Sequence, residues 1–412
     1  MLRTPGINKK RVLTLMIAGI LIFAVVSLII VFFQNYIQTS SPTQAKLFRN
    51  DTMVYGLADK DGTTKYGLVD TEGNIVLEAK YEAAFPVGEE LVGIMQTKDG
   101  SKKYGIINRD GKEIAKCVYD DIKFYSGKLI ALNENGKWGY ADTQGKWVIK
   151  PQYTDVRNFS EGVAGVSKDG KWFFIDKKGK KLSNDFENVR NLKNGIAGVK
   201  SDGKWGFVDM NFNWILKPRY QAIRDLENSL IAFKKDGKWG FLNGDLKEAI
   251  APKYKSVSYF SNGIAVVEDK NGKFGYINTE GEEFIKPQFA GAKNFSSSNR
   301  APVQKEEGGL WGYINSAGEF EIKPQFQEAG VFTDNIAPVS KDGKTYSYIN
   351  IKGESILKED YAYTSEYYED EYALIQALDG KWFVIDNSGN KIFGDKKFEI
   401  LIPGSDGKWF KK

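Results

Sequence analysis

Histidine is absent from all 412 residues, and cysteine occurs once, at Cys117. The first absence excludes Ser-His-Asp and Cys-His nucleophilic machinery and removes the commonest zinc ligand. The second excludes an internal disulfide. A lone thiol with no activating base reads as an inert packed residue, and Cys117 lies too far along the chain to carry an N-terminal lipid. No glycine-rich loop runs into Lys-Ser or Lys-Thr, so a phosphate cradle is missing and no cofactor is expected. A dominant charge is missing too: 58 basic residues face 53 acidic ones, a net of +5. Arg3, Lys9, Lys10 and Arg11 supply almost all of that excess, and the remaining lysines interleave with aspartates in short turns. Nucleic acid, which requires clustered Lys and Arg on one surface, is therefore not an expected partner.

Long apolar runs are equally scarce, with one exception. Val12 to Phe33 carries no charge and is long enough to cross a bilayer as a helix. Basic residues precede it and none follows until Lys46, which predicts a cytoplasmic tail over 1–11, a membrane helix over 12–33 and everything downstream outside the membrane. A cleavable signal peptide is the alternative, but this run is longer than a signal's apolar region and lacks an Ala-x-Ala site. Residues 34–50, rich in Ser, Thr and Gln from Ile37 to Ala45, read as a stalk.

What the chain has in abundance is a cassette. Tyr66-Gly67, Tyr104-Gly105, Trp138-Gly139, Trp205-Gly206, Trp239-Gly240, Phe274-Gly275 and Trp311-Gly312 are intact copies of an aromatic-Gly dipeptide. Trp172-Phe173, Tyr346-Ser347 and Trp382-Phe383 are decayed ones, and the steps between anchors run from 33 to 38 residues. A fixed period in this range marks a repeat architecture over 51–412. Before most anchors stands Asp-Gly or Asn-Gly, as in Lys235-Asp236-Gly237-Lys238-Trp239, the strongest short-range hairpin signal. After each anchor comes an alternating strand, then a turn of the Asp142-Thr-Gln-Gly145 kind, then Ile149-Lys150-Pro151-Gln152-Tyr153, whose proline places it at an edge. The glycine of the dipeptide predicts a close approach, with the next copy's aromatic as the expected neighbour. Each unit is thus three or four antiparallel strands in a meander that buries its aromatic face only by stacking on its neighbours.

These residues resemble the bacterial WG-repeat, or KWG-repeat, family from about Met53 to the C-terminus. The resemblance implies an all-β binding or surface module. The expected fold is an all-β, propeller-like array of ten units, with an open curved spiral as the alternative. Ten exceeds the usual blade number, and the chain ends by starting an eleventh unit at Gly407-Lys408-Trp409 instead of completing the first.

Nearly every aspartate recurs at a turn position, so a singular catalytic carboxylate pair is not visible and no catalytic residue is expected. Asp59-Lys60-Asp61-Gly62 and Asp269-Lys270-Asn271-Gly272 resemble the opening of a calcium loop but lack its later bidentate Glu, and they read as hairpin turns. Ser340-Lys341-Asp342-Gly343-Lys344 resembles an Asp-box turn. Departures from the repeat are the candidate ligand-binding residues. Trp147 and Trp214 stand where other units carry Glu113, Glu283 or Phe320 and are candidates for a stacking platform. Tyr361, Tyr363, Tyr367, Tyr368 and Tyr372 crowd an acidic stretch suited to a protein or a cationic polymer. The expected function is a non-catalytic binding or scaffold module anchored in the cell membrane, with an envelope protein or cell-wall polymer as ligand. The alternatives are a carboxylate-dependent glycan-acting enzyme and a passive spacer.

Overall fold

The computed structural model describes residues 48, 50–58, 63–88, 90–224, 230–368, 371–394 and 400–402. The expected cytoplasmic tail over 1–11, the expected membrane helix over 12–33 and the expected eleventh-unit start at Gly407 fall outside them. So does Asp59-Lys60-Asp61-Gly62. The described strands form ten small antiparallel sheets, the blades of a propeller. Each blade is identified by its anchor, from Tyr66 in blade 1 to Trp382 in blade 10.

Blade 5 shows the pattern: Asn188–Val189, Ile196–Ser201, Lys204–Asp209 and Trp214–Tyr220, hydrogen-bonded in that order. The second and third strands meet at a two-residue turn whose Asp202 and Gly203 have φ of 52° and 73°. Both values belong to a type I′ turn, which the Asp-Gly dipeptide supplies at low cost. The next turn is closed by Asp209, whose Oδ1 accepts from the backbone N–H of Asn211 and Asn213 at 2.8 and 2.9 Å.

Close approach does explain the glycine, but the neighbour differs from the expected aromatic. A Cβ at Gly206 would lie 2.4 Å from the carbonyl oxygen of Leu216 and 2.8 Å from the nitrogen of Pro218. The fourth strand of the same blade bulges inward at Lys-Pro, as the register shift between Trp205 and Phe207 records, and only glycine leaves room for it. All seven intact dipeptides head four-stranded sheets, including Gly139, which meets Ile149 and Pro151 in this way. The three decayed ones, with Phe173, Ser347 and Phe383, head the three-stranded sheets. There the fourth strand is reduced to isolated bridges such as Trp172↔Phe186 and Tyr346↔Tyr361.

The core lies in the seams between blades. One cluster joins Tyr140, Ile149 and Tyr153 of blade 3 to Val156, Phe159, Val166 and Ile175 of blade 4. Within such seams the tyrosine two residues after the anchor donates its hydroxyl to the backbone of the next blade. Tyr140 reaches Arg157 O at 2.7 Å, Tyr276 Lys293 O at 2.9 Å, Tyr313 Gly330 O at 2.9 Å and Tyr348 Ser365 O at 2.8 Å. Phe174, Phe207 and Phe241 fill the same slot elsewhere. Tyr313→Phe should therefore fold normally and lose about 1 kcal/mol, the net value of one buried hydrogen bond. A chemical-denaturation midpoint equal to wild type would show the bond contributes nothing.

The chain does not leave its first unit incomplete, as the reading of its C-terminus suggested. Ile400–Ile402 pairs antiparallel with Val54, Tyr55 and Gly56, so the last strand becomes the first strand of blade 1. Blade 10 packs on blade 1 as well, through Leu374 and Val384 against Met53, Tyr55 and Val69. This return selects the propeller over the open spiral. Its origin is non-local: the strand's partners lie at the other end of the chain.

Candidate ligand-binding rim

The first strands face the axis. In blades 4–10 they span only two residues, and they are tied to one another along the ring. Ser126 Oγ donates to Phe159 O at 2.6 Å, and Ser160 Oγ donates to Leu192 O at 2.5 Å. The fourth strands instead alternate exposed and buried residues, as in Trp147–Tyr153, and form the outer edge.

On this inner rim a cation recurs. Lys123, Arg157, Arg190, Arg224 and Lys293 each lie over the anchor ring of their own blade, 4.3, 4.7, 5.2, 4.9 and 5.5 Å from Trp138, Trp172, Trp205, Trp239 and Trp311. Such contacts contribute roughly 0.5–2 kcal/mol each. Several also cross the seam. Lys123 pairs with Asp155, Arg157 Nη2 donates to Asn188 Oδ1 at 3.3 Å, and Arg224 Nη1 donates to Val257 O. Burial holds the Arg224 guanidinium below its ordinary pKa. Lys123, Arg157 and Arg224 are therefore staples between blades. Sequence reading missed them, although a cation at one fixed offset before four successive anchors was there to be found.

Blades 8 to 10 break the scheme. The inner-strand slot held by Asp155 or Asn188 elsewhere is Glu328 in blade 9 and Tyr363 in blade 10, and Glu366 follows in blade 10. Lys293 of blade 8 interacts electrostatically with Glu366 and Glu328, two blades and one blade on. Glu366 Oε1 accepts from the Val331 N–H at 3.1 Å, and Glu328 Oε2 accepts from the Tyr346 hydroxyl at 2.8 Å. Burial pushes the Glu366 carboxyl up, against the pull of Lys293 and the Val331 bond. Burial pushes the Lys293 ammonium down, against Glu366 and Glu328. Both residues are partly buried. The Tyr363 ring lies 6.4 Å from Tyr346 and 5.5 Å from Trp382, and burial followed by Glu366 raises its pKa to about 12.

The candidates read from sequence are dispersed. Trp147 is on blade 3 and Trp214 on blade 5, each at the outer edge, with blade 4 between them. Trp147 packs edge-on against Tyr119 of the preceding blade at 5.8 Å, and Trp214 against Phe186 at 5.9 Å. Trp214 still exposes 40% of its surface. Tyr361 and Tyr367 are core residues: Tyr361 bridges Tyr346, and Tyr367 packs 5.0 Å from Tyr348 while donating to Asp386 O at 2.9 Å. Tyr368 and Tyr372 join the seam that closes the ring, where Tyr372 meets Phe48 at 5.2 Å. Of the tyrosines proposed, Tyr363 is the one placed beside Tyr346 and Glu366.

The repeated turn acids are occupied by backbone. Asp70, Asp142, Asp176, Asp209 and Asp386 each accept two N–H bonds through Oδ1. Asp269 does the same toward Asn271 and Lys273, which accounts for the calcium-like spelling. Asp342 is held at about 2 by the N–H groups of Thr345 and Lys344, so what it adds to stability is present above the ordinary carboxylate range and is lost as pH falls toward 2. Among the described residues no group of three or more Cys, Asp or Glu is placed to hold a metal ion. Nor is any helix long and apolar enough to cross a membrane found among them. Cys117 is packed in the core, and burial raises its thiol pKa.

Fold and rim together define a ten-bladed β-propeller of short antiparallel repeats. The model of the WG containing repeat matches residues 66–98, 104–138, 138–172, 172–205, 205–239, 239–274, 274–308 and 311–344, and the chain belongs to that family. No curated protein sequence matches it. Among solved structures it is similar to one titled as the eukaryotic initiation factor, at 13% identity over 85% of this chain and 96% of that one, with a TM-score of 0.50. It also matches the computationally designed Ika8 protein at 14% identity over 64% and 95%, TM-score 0.32. BamB from Moraxella catarrhalis matches at 11% over 65% and 96%, TM-score 0.31. At 13% identity the likeness to the initiation-factor structure is one of fold alone.

Proposed function

We propose that this propeller is a non-catalytic binding module, held at a membrane by residues 12–33 with its repeats outside the cytoplasm, and that its ligand is an envelope protein or a wall polymer. One observation carries the binding reading. Turn aspartates are engaged by backbone and most inner-rim cations by seams, whereas two carboxylates, Glu328 and Glu366, stand near the recurring cation Lys293 on one arc of the inner rim. The charge order Arg3 to Arg11, apolar run, then Lys46 supports the membrane placement. Residues 41–412 should co-sediment saturably with isolated cell-wall sacculi, and protease added to intact cells should cut the repeats. Absence of sacculus binding would discard the polymer and leave a protein ligand. Repeats protected in intact cells but cut after lysis would refute the topology.

The glycan-acting enzyme remains the second reading, because Glu328 and Glu366 are carboxylates outside the turn scheme on adjoining blades, one with a raised pKa. New reducing ends released from sacculi by wild type and lost in Glu366→Gln would establish it in place of binding alone.

A further inference from the structure

We infer that the outer corner shared by blades 4 and 5 rests on an anionic lipid surface, with lysines of blade 4 at the head groups and Leu182, Met210 and Trp214 entering among them. This rests on the membrane placement proposed above and adds a second contact to it. Two departures from the repeat coincide at this corner. The first is charge. The turn after the third strand of blade 4 reads Asp176-Lys177-Lys178-Gly179-Lys180-Lys181, four lysines against one aspartate. Asp176 is occupied by the backbone N–H groups of Lys178 and Lys180. Lys177 donates to Gly127 O at 3.2 Å, and Lys181 pairs with Asp185. Lys178 and Lys180 are exposed and, among the described residues, close no ion pair. The matching turn of blade 7, Asn278 to Glu283, carries three glutamates and no cation, so the basic corner is particular to blade 4.

The second departure is exposed apolar surface. Leu182, Met210, Trp214 and Ile215 expose 37, 60, 40 and 47% of their area. Single exposed apolar residues need no partner, but these are grouped. They flank one seam. The Leu182 N–H donates to Phe174 O at 2.8 Å, the Phe174 ring stacks on Phe212 at 4.8 Å, and Trp214 packs on Phe186 at 5.9 Å. Lysine beside Trp, Leu and Met is the chemistry of an interfacial contact: the indole sits at head-group level, the aliphatic chains enter below it, and the ammonium groups meet anionic lipid. The start of the described chain favours lipid over a second protein. Thr52 pairs with Asp70, and the Thr71 N–H donates to Asp51 O at 3.2 Å. The chain therefore enters blade 1 at the end of the ring that carries these turns. The link over 34–47 spans at most roughly 50 Å when fully extended, so a membrane held at residues 12–33 is within reach of that end.

A polarity-sensitive probe tests this. Full-length protein is reconstituted in phosphatidylcholine vesicles with and without phosphatidylglycerol, labelled at Met210→Cys or, as a control on the exposed blade 8 turn, at Ala317→Cys. Cys117 is buried and does not compete for the label. The probe at position 210 should brighten and shift to the blue with phosphatidylglycerol at low salt, and lose the shift at high salt. Lys178→Gln and Lys180→Gln should each lower the docked-to-free ratio roughly fivefold. Both lysines are exposed, so these variants keep the fold. The probe at position 317 should report water throughout. A probe at 210 that reads alike in both vesicles, or one at 317 that shifts as much, overturns the inference. So does a shift that appears in phosphatidylcholine alone and grows with protein density, because a second copy then covers the corner. Protein stripped from the vesicles by an alkaline wash overturns the membrane placement together with the inference. Protein retained with a silent probe at 210 overturns this inference alone and leaves the proposed function standing.

Discussion

Replacing Gly206 with alanine should detach the outer strand of blade 5 and destabilise the protein by about 3 kcal/mol, the upper range for forcing a methyl into a filled site. The new Cβ would lie 2.4 Å from Leu216 O and 2.8 Å from Pro218 N. Neither atom is the end of a flexible side chain, so the backbone of Trp214–Tyr220 has to move. Blade 4 shows the outcome. There Phe173 occupies the glycine slot and the sheet stops at three strands, with only Trp172↔Phe186 and Ile175↔Lys181 remaining of a fourth. Hydrogen exchange should accelerate across 214–220 and leave Lys204–Asp209 protected. The seam with blade 4 should loosen too, because Trp214 packs on Phe186. Unchanged exchange over 214–220 would show that the outer strand does not depend on glycine.

Deleting the chain from Ile400 onward should have a comparable effect, from a different cause. The strand Thr52–Ala58 would lose the partner of Val54, Tyr55 and Gly56 and become a free edge. Removing three paired residues costs about 3 kcal/mol at a net value near 1 kcal/mol per hydrogen bond. An unpaired edge is also a template for another chain. The shortened protein should melt lower, be cut first in blade 1, and associate with itself on size-exclusion chromatography. The packing of Leu374 and Val384 on blade 1 opposes complete opening. A melting temperature equal to wild type, with blade 1 resistant to protease, would mean that this packing closes the ring unaided.

The unit was legible in the sequence because its determinants are local. Asp202-Gly203 spells a type I′ turn, Asp209 caps the next one, and Gly206 reports a close approach even though the identity of the neighbour was misjudged. The return of Ile400–Ile402 was not legible, since three apolar residues carry no mark of a partner at the opposite end of the chain. For the rim, charge density drew attention to the stretch from Tyr361 to Tyr372, within which Tyr361 and Tyr367 are buried and Tyr363 lies beside Tyr346. Tyr367 occupies the slot filled by Phe159, Phe260 and Phe295 in other units, and comparing units column by column assigns it to the core. Lys293, Glu328 and Glu366 come from three units. Only folding brings them near one another, so no spacing rule finds them.

The repeat in the sequence and the blade in space are out of phase. A matched segment such as 172–205 holds the third strand of one blade and the first two of the next. Each unit of the gene therefore encodes most of one seam, bounded by two half-blades, with a few residues such as Leu129, Ala131 and Ile175 coming from the flanking units. Recombination that adds or drops such a unit joins a second strand to a third strand through a hairpin of the same kind and keeps the larger part of every surviving seam. The clasp at Ile400–Ile402 lies outside all of these segments. Blade number can thus change by unequal crossing-over with little redesign of the interfaces, and ring size becomes a quantity on which selection can act directly.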